Sequence, residues 1–146
     1  MDEPLLPETP VTRPIKSRLL SVLCILTFIG SGINLTSGFL VSLFYDEFIA
    51  VGSDIARQFD IPGIEMILQA KPVFFWVSSL FYLMSLTGAW MMWNLKKTGF
   101  HIYTIAQILL IISPMYFFHL PGPFIFDLIL SGIFIILYGT QIKRMS

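Results

Sequence analysis

Long apolar runs separate small clusters of charge along this chain. Leu19 to Tyr45 is 27 residues without a charge, and Pro72 to Leu95 is another 24. Thr98 to Phe126 is also free of charge, but it contains Pro121-Gly122-Pro123. A helix does not run through that triplet, because proline lacks the backbone N–H and its ring collides with the preceding turn. The triplet divides the C-terminal apolar region into two pieces of roughly 20 residues each, long enough for a hydrocarbon core about 30 Å thick. The pattern predicts four transmembrane helices at about 19–45, 72–95, 100–119 and 124–142. Arg13, Lys16 and Arg18 before the first run resemble the charged start of a signal peptide. The apolar part of such a peptide is about 7–15 residues long, so the longer run here reads as a retained helix.

The connections predict how these helices are arranged. Lys96-Lys97-Thr98-Gly99 and the proline–glycine turn are short, and short links make consecutive helices antiparallel neighbours. The loop 46–71 is the only long one. Phe48, Val51, Ile55 and Phe59 recur in it at helical spacing, with Asp54, Arg57, Gln58 and Asp60 mostly elsewhere on the wheel, which predicts a short amphipathic helix. That helix either lies in the membrane interface and caps the bundle or offers a docking surface. Ile61-Pro62-Gly63 breaks it, 64–70 forms a further turn or two, and Pro72 suits the first position of the next helix. Residues 1–16 hold Pro4, Pro7, Pro10 and Pro14 with little to bury, which predicts a disordered tail. The expected fold is all-α and integral to the membrane: an antiparallel four-transmembrane-helix bundle over 17–146, with a short amphipathic helix in its outer loop.

Composition sharpens this reading. At 146 residues, the chain is 55% hydrophobic and only 12% charged, more apolar surface than a soluble domain of that size can hide. Net charge is zero, but the bases are unevenly placed. Arg13, Lys16, Arg18, Lys96, Lys97, Lys143 and Arg144 fall on one side of the four-span pattern, against Arg57 and Lys71 on the other. Positive charge marks the cytoplasmic side, so both termini are expected there and the loop 46–71 outside. Aromatic residues gather near the span ends, as in an interfacial belt: Phe44, Tyr45, Phe74 to Trp76 and Tyr116 to Phe118 at the outer ends, Trp90, Trp93, Phe100, Tyr103 and Tyr138 at the inner.

Polar residues inside the spans are the candidates for function. On the first span Thr27, Ser31, Asn34, Gly38 and Ser42 share one face, and Gly30 and Gly38 flank Asn34 at four-residue spacing. Thr27, Gly30, Ser31, Gly38 and Ser42 read as a close helix-packing face. Ser78, Tyr82, Ser85 and Ala89 share a face on the second span; Tyr103 and Gln107 share one on the third, with Pro114 two turns on. Asp127, Ser131, Phe134 and Tyr138 do so on the fourth. Asn34 and Gln107 fall near mid-membrane and are placed to bond each other. Asp127 is the only acid within a span, one turn inside the outer boundary, with His119 across the turn. It reads either as a carboxylate near the amides of a helix start or as a protonatable site. Asn34, Gln107, Asp127 and His119 are therefore the intramembrane polar candidates.

No catalytic, cofactor or metal constellation is present. His101 and His119 lie at opposite ends of one span, Cys24 is the sole cysteine, and the chain lacks the GxSxG, HExxH, phosphate-loop and CxxC patterns. Nothing favours nucleic-acid binding. Arg13-Pro14 followed by Leu20-Ser-Val-Leu-Cys-Ile-Leu-Thr-Phe-Ile-Gly-Ser-Gly32, and Leu95-Lys-Lys-Thr-Gly-Phe100 with Tyr103 and Gln107, together resemble a group of uncharacterised small four-span inner-membrane proteins of Bacteroidota-type bacteria. The resemblance covers the membrane region. It implies a bacterial cytoplasmic membrane, an outer loop facing the periplasm and no catalytic residues. The leading expectation is a non-enzymatic accessory or scaffold subunit, with the bilayer, a membrane-protein partner or a second copy as its neighbours. The alternative is a small transporter or permease component with a polar path near Asn34, Gln107 and Asp127.

Overall fold

A computed structural model describes residues 17–61, 64–119 and 125–145. The expected disordered tail 1–16, the break at Pro62-Gly63 and the turn at Pro121-Gly122-Pro123 lie outside the described residues. What is described is helical: α1 (Arg18–Leu43), α2 (Tyr45–Gln58), α3 (Ile64–Leu68), α4 (Pro72–Trp93), α5 (Lys97–Phe118) and α6 (Ile125–Gln141), then a 3-10 turn over Ile142–Arg144. α1, α4 and α5 are long and apolar enough to cross a membrane. α6 is apolar but has 17 residues, about 26 Å of helix.

Local chemistry sets the ends. Ser17 caps α1 by accepting the Leu20 N–H at 3.1 Å, and the same hydroxyl donates to Gln141 Oε1 at 2.8 Å, tying the first helix to the last. α1 stops at Leu43, two residues short of the expected boundary, because Phe44 leaves helical geometry (φ −111°, ψ 43°). Tyr45 then opens α2, which carries Asp46 and Glu47 in its first turn, where the amides of a helix start favour carboxylates. Pro72 occupies the start of α4. Asn94 and Leu95 turn the chain, with Leu95 left-handed at φ 60°. α5 begins at Lys97, three residues earlier than the apolar pattern suggested.

Side-chain pairing gives the directions. Cys24 meets Ala89, Ser31 meets Ser85, and Gly38 meets Ser79, so α1 and α4 run antiparallel. Ser85 meets Gln107 and Phe74 stacks on Phe117 and Phe118, so α4 and α5 do too. α6 pairs with α1 through Gln141–Ser17 and Tyr138–Thr27, again antiparallel. α4 is the central helix, packed along its length on α1 and α5, whereas α6 touches the others at few places.

The tightest approach is a glycine pair. A Cβ on Gly88 of α4 would stand 2.7 Å from the Tyr103 nitrogen and 2.9 Å from the Gly99 carbonyl. One on Gly99 of α5 would stand 2.5 Å from the Gly88 carbonyl and 2.7 Å from the Met92 nitrogen. Only hydrogen fits at either place. This brings α4 and α5 together backbone to backbone beside the short Asn94–Lys96 turn, the kind of crossing small residues permit between membrane helices.

The fully buried side chains occupy one half of the molecule. Leu20, Leu23, Cys24, Met92, Tyr103, Tyr138 and Met145 form one cluster at the end that holds the Asn94–Lys96 turn. The other end carries α2 and α3. There Phe74 contacts Phe75, Phe117 and Phe118 at 5.0–5.5 Å, Phe48 meets Phe75 at 5.9 Å, and the Tyr45 hydroxyl donates to the Ala70 carbonyl at 2.7 Å. Leu68 of α3 seats against Gly52 of α2. Val51, Ile55 and Phe59 of the amphipathic α2 remain uncovered.

Candidate functional site

Above the packed cluster, towards α2 and α3, the long helices enclose a cavity of about 590 Å3. Its closed end is built from hydrogen-bonded side chains. Ser31 and Ser85 hydroxyls lie 3.2 Å apart; Gln107 Nε2 donates to Ser85 Oγ at 3.2 Å; and the Ser131 hydroxyl donates to Gln107 Oε1 at 2.9 Å. One residue each from α1, α4, α5 and α6 thus meets at a single level. A turn below, the Thr27 and Tyr138 hydroxyls are 2.9 Å apart and the Tyr103 and Tyr138 rings meet edge-on at 4.9 Å. Every hydroxyl and amide in these two layers that joins helices has a partner, so the floor is satisfied without a further polar group.

The walls above the floor are apolar, with polar groups set into them. Leu26, Leu110, Ile111, Leu130 and Phe134 supply the apolar surface, and Met66 and Ile67 of α3 reach over the far end. Asn34, Ser78, Tyr82 and Asp127 are the polar side chains described on the wall. Pro114 interrupts α5 within the cavity wall. With no N–H, Pro114 cannot supply the i→i−4 helical bond to the Leu110 carbonyl.

One side is open. Beyond the Thr27–Tyr138 contact, α1 and α6 separate. A Cβ on Gly30 would meet nothing within 4 Å, and every residue from Ile125 to Leu130 is exposed. The cavity is therefore closed below, roofed partly by α3 and aromatic rings, and accessible sideways between α1 and the first half of α6.

The residues singled out from sequence are distributed through this arrangement. Thr27 and Ser31 are buried and bonded to α6 and α4 respectively. Gly38 lies against α4, where a Cβ would come 2.6 Å from Ser79 Oγ. Gly30 faces open space instead of a neighbouring helix, and the Ser42 hydroxyl donates to the Phe39 carbonyl of its own helix at 2.7 Å. Gln107 joins the floor. Asn34 does not meet it: its amide donates to the Gly30 carbonyl at 2.8 Å and its side chain is exposed on the cavity wall. The amide shares the i−4 carbonyl with the helix's own N–H, through that oxygen's second lone pair.

Asp127 and His119 are also separated. Asp127 stands exposed in the first turn of α6 on the 590 Å3 cavity. His119, left-handed at φ 52°, ends α5 and lines a second cavity of about 660 Å3 with Asp60 and Glu65. Met66 and Phe118 form the wall shared by the two. Among the described residues no salt bridge involves Asp127, and no three His, Cys, Asp or Glu side chains converge to hold a metal ion. The Gly88–Gly99 pair, which fixes α4 against α5 beneath the floor, was not among the sequence candidates. Its signal is a glycine on each side of a very short inter-helix turn. The chain matches no protein-family model, no curated protein and no solved structure.

Proposed function

We propose that this is a non-enzymatic, four-span membrane protein that binds a small amphipathic molecule in its half-depth cavity, as a small transporter or permease component. In this reading α6 is the fourth span, both termini and Lys96-Lys97 are cytoplasmic, and α2 and α3 lie on the outer side. The uneven basic residues support that orientation. The resemblance given above supports a bacterial cytoplasmic membrane. The cavity carries the functional reading: at about 590 Å3 it falls within the roughly 300–1,000 Å3 of small-molecule sites. Like such sites it has apolar walls and few polar groups. Its floor is sealed, so it is a pocket rather than a through-channel, and its lateral opening gives access from lipid.

The test is thiol accessibility. Ser78 lies on the cavity wall and the native Cys24 is fully buried, so a Ser78→Cys protein has one reactive cavity thiol against an inert background. In nanodiscs that thiol is expected to react with a membrane-permeant maleimide, and Leu130→Trp, which fills the cavity, is expected to suppress the reaction. A Ser78→Cys thiol as inert as Cys24 refutes the reading.

A second reading, an accessory or scaffold subunit, draws on the uncovered stripe Val51, Ile55 and Phe59 of α2. An apolar stripe beside a membrane can rest on lipid or on a partner. Affinity purification from native membranes distinguishes them: a stoichiometric partner lost on Ile55→Ser favours the subunit.

A further inference from the structure

We infer that the cavity selects a lipophilic cation, an alkyl- or arylammonium whose charged head is held between Asp127 of α6 and Tyr82 of α4. This rests on the cavity being a binding site and adds the class of its ligand. The lining supplies the argument. Among the described residues, Asp127 is its only ionisable carboxylate, and no Lys, Arg or His lines it. The other polar groups on the described wall are the Asn34 amide, already donating to Gly30, and the Ser78 and Tyr82 hydroxyls. Oxygen atoms with free lone pairs predominate, as a cation requires. An anionic head would meet the carboxylate with no compensating base. A neutral polar head would leave Asp127 without a counter-ion in a largely apolar wall, the situation membrane proteins avoid by pairing. Tyr82 adds an aromatic ring to the same cavity lining as the carboxylate, a combination that suits ammonium groups.

The outer segment beside the cavity carries the same sign. The segment from Asp46 to Lys71 has five acids, Asp46, Glu47, Asp54, Asp60 and Glu65, against Arg57 and Lys71. α3, with Glu65, roofs the far end of the cavity through Met66 and Ile67. A net negative outer segment raises the local concentration of cations and repels anions. The apolar part of the ligand has Leu130, Ile111 and Phe134 to rest on, and the opening between α1 and α6 admits a molecule already dissolved in the bilayer.

The experiment uses Ser78→Cys protein in nanodiscs and measures protection of the thiol by octyltrimethylammonium, 1-octanol and octanoate. The cation is expected to protect saturably, with the alcohol at least about tenfold weaker and the carboxylate weaker still, because a charge-assisted contact is made to the cation alone. Adding Asp127→Asn should weaken protection by the cation about tenfold or more and leave the alcohol within about twofold, and Asp127→Glu should restore most of it. Asp127 is exposed, so these variants fold, and size-exclusion profiles check that. If the thiol reacts but octanol protects as well as the cation, or Asp127→Asn changes nothing, the cation assignment is wrong while the cavity stands. If the thiol is inert, both fall together.

Discussion

Replacing Gly88 with alanine adds one methyl group at the place where this fold has least room for it. The new carbon would sit 2.7 Å from the Tyr103 nitrogen and 2.9 Å from both the Gly99 oxygen and the Tyr103 Cα. All three are backbone atoms of α5, so no side chain can swing aside. Reaching the ordinary contact distance of 3.4 Å requires α4 and α5 to move apart by roughly 0.7 Å at this level. Ser85, one turn away on α4, bonds Gln107 at 3.2 Å, so the same displacement stretches a floor contact that is already long. Overpacking of this kind costs about 1–3 kcal/mol. Gly30→Ala is the matched control. It places the same methyl on another long helix with nothing within 4 Å, and alanine is the better helix former by roughly 0.5–1 kcal/mol. Thermal unfolding in one detergent, followed by tryptophan fluorescence, should show Gly88→Ala well below wild type and Gly30→Ala at or above it. If the two variants melt together, the backbone contact between α4 and α5 is not what holds these helices.

Four further outcomes follow from the same geometry. Gly38→Ala meets only the Ser79 hydroxyl and should be nearly neutral, but Gly38→Leu must also clear the Phe75 carbonyl and should lose about 1–3 kcal/mol in the same melt. Gln107→Leu removes the bonds to Ser85 and Ser131 and should cost roughly 1–2 kcal/mol, at about 0.6–1.7 kcal/mol per inter-helix bond, while Asn34→Leu, bonded only within its own helix, should cost less. Tyr138→Phe should destabilise by about 1 kcal/mol through loss of the Thr27 bond, with the ring packing kept, and equal unfolding of the variant and wild type would discount that bond. For topology, cysteines at Ser53 and Thr98 should label from opposite sides of the membrane, and labelling from one side would overturn the four-span arrangement.

The membrane-crossing helices could be read from the chain because they depend on uninterrupted apolar length, which is a one-dimensional property. α1, α4 and α5 fall within a few residues of the expected 19–45, 72–95 and 100–119. The helix ends moved where charge or backbone geometry decided them, at Phe44 and at Lys97. Periodicity placed Thr27, Ser31, Ser85, Gln107, Ser131 and Tyr138 on helix faces, and these are the residues whose hydrogen bonds join the helices. It could not give separation between helices. Asn34 shares the face of Ser31, yet α1 and α6 have parted by its level, so its amide turns back to Gly30 and not to Gln107. The cavity arises from that divergence and from Pro114, and neither leaves a repeat in the sequence. The Gly88–Gly99 contact depends on two glycines in different helices meeting in register, which single-helix patterns do not encode.

The lopsided attachment of α6 bears on how the chain is assembled. α1, α4 and α5 form a continuous three-helix unit, whereas α6 is joined to them by three side-chain hydrogen bonds, Gln141 to Ser17, Tyr138 to Thr27 and Ser131 to Gln107, and by the Tyr103–Tyr138 ring contact. It also leaves the ribosome after those three. The first three can therefore associate before it arrives, and until it does Thr27 and Gln107 lack the partners that α6 supplies. Unsatisfied polar groups are costly in the apolar part of a bilayer, so the half-built molecule is destabilised until α6 docks. The docking of α6 is thus a natural checkpoint on biogenesis, and variants that weaken its three links should lower the amount of protein in the membrane before they alter anything the finished molecule binds.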